Sequence, residues 1–116
     1  MADRESFLGA LYEAFNARDI DTVLAAMTPD VDWPNGMQGT RELGHDQVRV
    51  YWLRQWEQID PRVDAVAFEA RPGGQTAVDV HQVVRDLAGS VLNDRMVRHV
   101  YQFKGELVCR MDIEEM

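Results

Sequence analysis

His99 is the residue of this 116-residue chain best suited to handle a proton. It stands in an alternating run with Val97, Tyr101 and Phe103, and on a strand those four side chains share one face. An imidazole in such apolar company is partly desolvated, so a nearby carboxylate would tune its pKa for acid–base work near neutrality. Asp79 and Asp94 are the candidate carboxylates, and His81 is a second imidazole that could join them. The chemistry these residues predict is proton transfer at His99 with Asp79, His81 or Asp94 as partner. The competing reading is a histidine that hydrogen-bonds within the core and does no chemistry.

The run 75–86 leaves open which of its rows faces inward. Val78, Val80, Gln82 and Val84 form one row; Asp79, His81, Val83 and Arg85 form the other. Hydrophobicity favours the valine row as core, whereas a cavity wall tolerates the polar row. Trp33, Tyr51, Trp52, Trp56 and Tyr101 are candidate linings for a small-ligand cavity, since aromatic walls with a few polar tips suit such sites. Trp52 and Trp56 at helical spacing also fit plain core packing. His45, at a helix start, is expected to be solvated.

Other chemistries lack their residues. No His pair at i, i+4 and no compact carboxylate cluster occurs, so no metal site is expected. Gly36, Gly39 and Gly44 lack the Lys-Ser/Thr of a phosphate loop, and no Gly-x-Ser-x-Gly elbow exists. Cys109, the one cysteine, excludes an internal disulfide and reads as a buried apolar side chain. Twenty acidic residues against twelve basic ones, net charge −8, disfavour nucleic acid and anionic membrane surfaces. No apolar stretch is long enough to span a bilayer and no leader-like apolar run opens the chain, so a cytoplasmic protein is expected.

The elements that must position these residues follow from periodicity. Phe7, Leu8, Leu11, Tyr12 and Phe15 recur at helical spacing. Asp19 suits an N-cap, and Ile20, Val23, Leu24 and Met27 predict a second one-faced helix that Pro29 ends. Val31-Asp32-Trp33 reads as a short strand, and Pro34 to Gly44 as a loop. A third helix is predicted from His45 to Glu57, with Val48, Trp52, Trp56 and Ile59 on one face and Asp60-Pro61 as its breaker. Strands over roughly 62–71, 75–86, 91–104 and 107–114 are separated by Pro72-Gly73-Gly74, Ala88-Gly89-Ser90 and Lys104-Gly105. Helix, helix, strand, helix and four successive strands predict one α+β domain over 1–116, with an antiparallel sheet and its helices on one face.

Three segments carry a resemblance. They are Asn16-Ala17-Arg18-Asp19-Ile20-Asp21 running on through Thr28-Pro29-Asp30-Val31-Asp32-Trp33-Pro34-Asn35-Gly36, then Gly44-His45-Asp46-Gln47-Val48, and Arg98 through Leu107. In this order they resemble the NTF2-like superfamily, the cone-shaped α+β fold of ketosteroid isomerases and SnoaL-like polyketide cyclases. The resemblance implies a strongly curved sheet and three N-terminal helices enclosing a cavity for a small apolar molecule. It also implies no cofactor, and a homodimer formed through the outer sheet face. In ketosteroid isomerases the base is an aspartate just before a proline on the first strand; here Trp33 precedes Pro34, and Asp32 should point to the other face. Their first-helix tyrosine falls at Leu11, with Tyr12 a step away, and their acidic oxyanion donor falls at His99. The isomerase mechanism is therefore not expected. A cyclase-type carboxylate–imidazole pair on the sheet, or a non-catalytic binding module, stays open. An epoxide-hydrolysing branch uses an Asp-Arg-Asp set, toward which Asp94, Arg95 or Arg98 could contribute, but its pattern is not visible in this chain.

Overall fold

The computed structural model describes residues 3–116. Helix α1 (Arg4–Asn16) starts where the Asp3 carboxylate accepts from the Ser6 amide at 2.7 Å, and it buries Leu8, Leu11 and Tyr12. Helix α2 (Ile20–Ala25) starts at Asp19, whose carboxylate accepts from the Thr22 amide and hydroxyl, as the sequence predicts. The corner between them rests on Arg18, whose φ of 62° is costly for a residue with a Cβ. Its guanidinium offsets that cost by donating to Asp60 and to the Pro61 carbonyl while lying over the Trp56 ring. At the end of α1, the Asn16 amide donates to the Val63 carbonyl and accepts from the Val63 amide, at 2.7 and 3.0 Å. It thus takes the place of a neighbouring strand.

The remaining elements are β1 (Met27–Asn35), β2 (Thr40–Leu43), α3 (Gly44–Gln58), β3 (Ile59–Arg71), β4 (Gln75–Asp86), β5 (Val91–Lys104) and β6 (Leu107–Glu115), with a short 3₁₀ turn at Pro72–Gly74. They form one six-stranded sheet in the order β2-β1-β6-β5-β4-β3, curved and unclosed, with the helices against its concave side. Register shifts at Val66 in β3, Leu92 in β5 and Cys109 in β6 mark bulges, which bend strands and let a sheet curl around a cavity.

Four expectations are corrected. Met27 begins β1 rather than ending α2, because the Ala26 carbonyl accepts from the Val108 amide and draws the chain into the sheet. The stretch read as loop contains β2, paired with β1 from Asp32↔Leu43 to Asn35↔Thr40. The sheet is not wholly antiparallel, since β1 and β6 run parallel. Asp60-Pro61 lies inside β3 instead of ending α3; β3 is an edge strand, where a missing amide is tolerated.

The start of α3 depends on Gly44, at φ +82°, where an added Cβ would lie 3.2 Å from the Pro29 carbonyl oxygen. His45 beside it is not merely solvated: its Nε2–H donates to the Met27 carbonyl at 3.1 Å, fastening α3 to β1. The outer sheet face carries charge rather than a valine row. Arg41 and Arg110 both bond to Asp32 and to Asp112, closing a four-residue ring, while Arg98 pairs with Asp79 at 2.8 Å. No helix among the described residues is long and apolar enough to cross a membrane.

Candidate functional site

Between α1, α3 and the concave face lies an open cavity of about 200 Å³. Residues directly opposite on antiparallel strands present side chains to the same face. The β4–β5 pairs Thr76↔Tyr101, Val78↔His99, Val80↔Val97 and Gln82↔Arg95 therefore form the inner rows. The question left open by residues 75–86 is thus resolved in favour of the valine row. Asp79↔Arg98, His81↔Met96 and Val83↔Asp94 belong to the outer rows.

This alternation removes the expected partners of His99. Asp79 is held by Arg98, and His81 bonds to Asp94 at 2.7 Å, all on the far side of the sheet. Asp79, His81 and Asp94 therefore cannot serve His99 in the cavity. Nor can Asp94 with Arg98 supply an Asp-Arg-Asp set there. Asp32, one residue from the base slot, likewise points outward into its arginines.

The partner of His99 comes instead from α1. Tyr12 Oη lies 2.8 Å from His99 Nδ1, and Tyr101 Oη donates to Tyr12 Oη at 2.8 Å. The direction of the chain follows from its protons. With Tyr101 donating to Tyr12, the Tyr12 hydrogen is left for Nδ1, which then carries the lone pair. The imidazole proton then sits on Nε2. Burial lowers the His99 pKa from 6.5 to about 4, so the ring is neutral at pH 7. Burial also raises the Tyr12 and Tyr101 hydroxyls well above the ordinary phenol range, so neither ionises. Among the described residues Nε2 has no hydrogen-bond partner, yet it is not among their wholly buried, unpaired atoms, which are Thr28 Oγ1 and Trp56 Nε1. His99 is 6% exposed and lines the cavity, so that residual exposure places an N–H donor at its wall.

Trp33, Tyr51, Trp52 and Tyr101 also line the cavity. Trp33 meets Trp52 edge-on with ring centroids 5.6 Å apart, and Tyr101 at 6.2 Å. Tyr51 accepts from Gln55 at 3.1 Å, and burial raises its pKa. Trp56 stands one layer back, stacked on Trp52 and beside Phe15, so it supports the wall without forming it. Among the polar residues of the wall, sequence reasoning missed four: Tyr12, Gln55, Gln82 and Arg95. Gln82 and Arg95 were discoverable by extending the inward rows of Val78 and His99 two steps further. Tyr12 was hidden because one residue along a helix turns a side chain by about 100°, a distinction loose motif matching does not resolve.

The lining contains no aspartate or glutamate. The arrangement can thus hold an apolar body, donate a hydrogen bond to an oxygen at its closed end, and do so without changing charge.

The chain matches the sequence profile of the SnoaL-like domain over residues 8–111. Among solved structures, an NTF2-like protein of unknown function from Burkholderia pseudomallei K96243 is 27% identical with a TM-score of 0.84, the match covering 100% of this chain and 92% of that one. TerC, co-crystallised with polyporic acid, is 24% identical with a TM-score of 0.82, covering 96% and 89%. A candidate polyketide cyclase from Xanthomonas campestris pv. campestris is 21% identical with a TM-score of 0.77, covering 97% and 89%. A search of curated proteins finds no match.

Proposed function

The chain belongs to the SnoaL-like domain family, and on that premise we propose that its cavity binds a small, largely apolar molecule through a carbonyl or phenolic oxygen held by His99 Nε2–H. The observation that carries this reading is the buried Tyr101–Tyr12–His99 chain, which fixes the tautomer and aims one neutral donor at the cavity. Such a preorganised donor favours a carbonyl whose oxygen gains negative charge, because it needs no reorganisation as the charge develops. That is the electrophilic half of isomerase- or cyclase-type enolisation.

In that step a base removes the proton α to the carbonyl, the C–H pair forms the carbon–carbon double bond, and the carbonyl π pair moves onto the oxygen facing His99. Complete transfer of the Nε2 proton would leave the ring anionic, or drive a compensating shift along the chain to a buried tyrosinate. Burial opposes both. His99 is therefore a hydrogen-bond donor rather than the acid or base. The base would be solvent entering the open cavity or a group on the substrate, since Trp33 fills the first-strand position and the lining has no carboxylate. That last observation equally favours the second reading, a binding module of the same fold without turnover.

Titration with 2-naphthol, followed by quenching of the wall tryptophans, tests the binding reading. Saturable binding is expected, weakened about tenfold in His99→Phe, the value of one hydrogen bond of roughly 1.4 kcal/mol. Equal affinity in the two proteins would remove His99 from the site. Deuterium exchange α to the carbonyl of 2-tetralone separates the two readings. Exchange accelerated by the wild type and lost in His99→Phe marks an enzyme; binding without acceleration marks a module.

A further inference from the structure

We infer that the cavity takes an organic acid: an apolar ring body whose oxygen acceptor meets His99 at the closed end and whose carboxylate meets Arg95 at the open end. This rests on the reading above that His99 holds the ligand's oxygen. Arg95 is the one cation among the lining residues, and no carboxylate stands among them. In a chain with net charge −8 that local balance runs against the general field, which would otherwise repel an anion.

The backbone spacing along β5 sets the scale of the ligand. Arg95 and His99 are four residues apart on β5 and face the same way, a separation of about 13 Å at ~3.3 Å per residue. Ile59, Val63 and Val84 contribute apolar wall to the same cavity. Burial runs along β5 in the matching sense: Tyr101 and His99 are buried, whereas the Arg95 side chain is 48% exposed. Opposite Arg95 on β4 stands Gln82, a neutral group able to complete the recognition of a carboxylate. Among the described residues the one acidic neighbour in ion-pair range is Glu115, at 4.0 Å with its side chain 88% exposed, a contact a bound carboxylate can displace. Two fused rings with polar substituents at opposite ends match this spacing.

The test compares 2-naphthol with 6-hydroxy-2-naphthoate on the full chain, at low salt, in wild type, Arg95→Gln, Arg95→Lys and His99→Phe. The wild type is expected to prefer the naphthoate by about fivefold, the value of a half-exposed charge pair. Arg95→Gln should abolish the preference, Arg95→Lys should keep most of it, and added salt should shrink it. Equal binding of the two probes by the wild type, or a preference that survives Arg95→Gln, overturns the inference while leaving a His99-dependent naphthol site standing. If neither probe binds, or both bind independently of His99, the reading of the cavity fails and this inference fails with it.

Discussion

Acidification from pH 6.5 to pH 4 is expected to cost this protein about 3 kcal/mol of folding stability through His99 alone, the equivalent of a shift from 6.5 to about 4. The sign follows from proton counting. In the unfolded chain His99 binds a proton at its ordinary pKa, whereas in the folded protein burial prevents this until about pH 4. Between those values the unfolded state holds more protons, so stability is full well above pH 6.5, falls as pH drops, and levels off within about a unit below the folded pKa. Carboxylates contribute in the same direction: Asp112 is held below its usual pKa by Arg110, which gives stability present at higher pH and lost in acid. The diagnostic quantity is therefore the difference between wild type and His99→Gln, whose amide can accept from Tyr12 and does not titrate. Urea denaturation across the range should show a steeper slope in the wild type than in the variant, the difference being the His99 contribution. Parallel slopes would mean that His99 titrates normally and is not buried as described.

Tyr12→Phe is expected to destabilise by about 2–6 kcal/mol, out of proportion to the single oxygen removed. Tyr12 Oη is the only link between two buried groups, so its loss leaves both the Tyr101 hydroxyl and His99 Nδ1 unpaired, each costing about 1–3 kcal/mol. Tyr101→Phe leaves Tyr12 free to donate to His99 and should cost less. Adding Tyr101→Phe to Tyr12→Phe removes one of the orphaned groups, so the double variant should be no less stable than Tyr12→Phe. Thermal melts of the three variants check this, and simple additivity of the two single losses would contradict the linear arrangement of the chain.

The parts of the fold legible in the sequence were those marked by local chemistry. Asp19 caps α2 because its carboxylate reaches the next turn, and β4 and β5 begin and end where glycine turns place them. The parallel pairing of β1 with β6 was not legible. It joins residues about eighty positions apart, and no local pattern records such a partner. Strand β2 escaped because its four residues, none of them fully buried, sit between glycines. The site divides the same way. Alternation put His99 and Tyr101 on one face, and Trp33, expected at the cavity, stands on its wall. Asp79, His81 and Asp94 looked like partners because they lie on the same or the neighbouring strand and are chemically apt, but strand pleating sends them through to the other face. Tyr12, the real partner, comes from α1, eighty-seven residues away.

The neutral Nε2–H donor at His99 is most directly tested by nitrogen-15 NMR of the histidine side chains at pH 7. The arrangement Tyr101–Tyr12–His99 predicts that His99 shows a protonated Nε2 and an unprotonated Nδ1, unchanged until the pH approaches 4. A signal showing Nδ1–H, or a ring that takes up a second proton near pH 6.5, would contradict it.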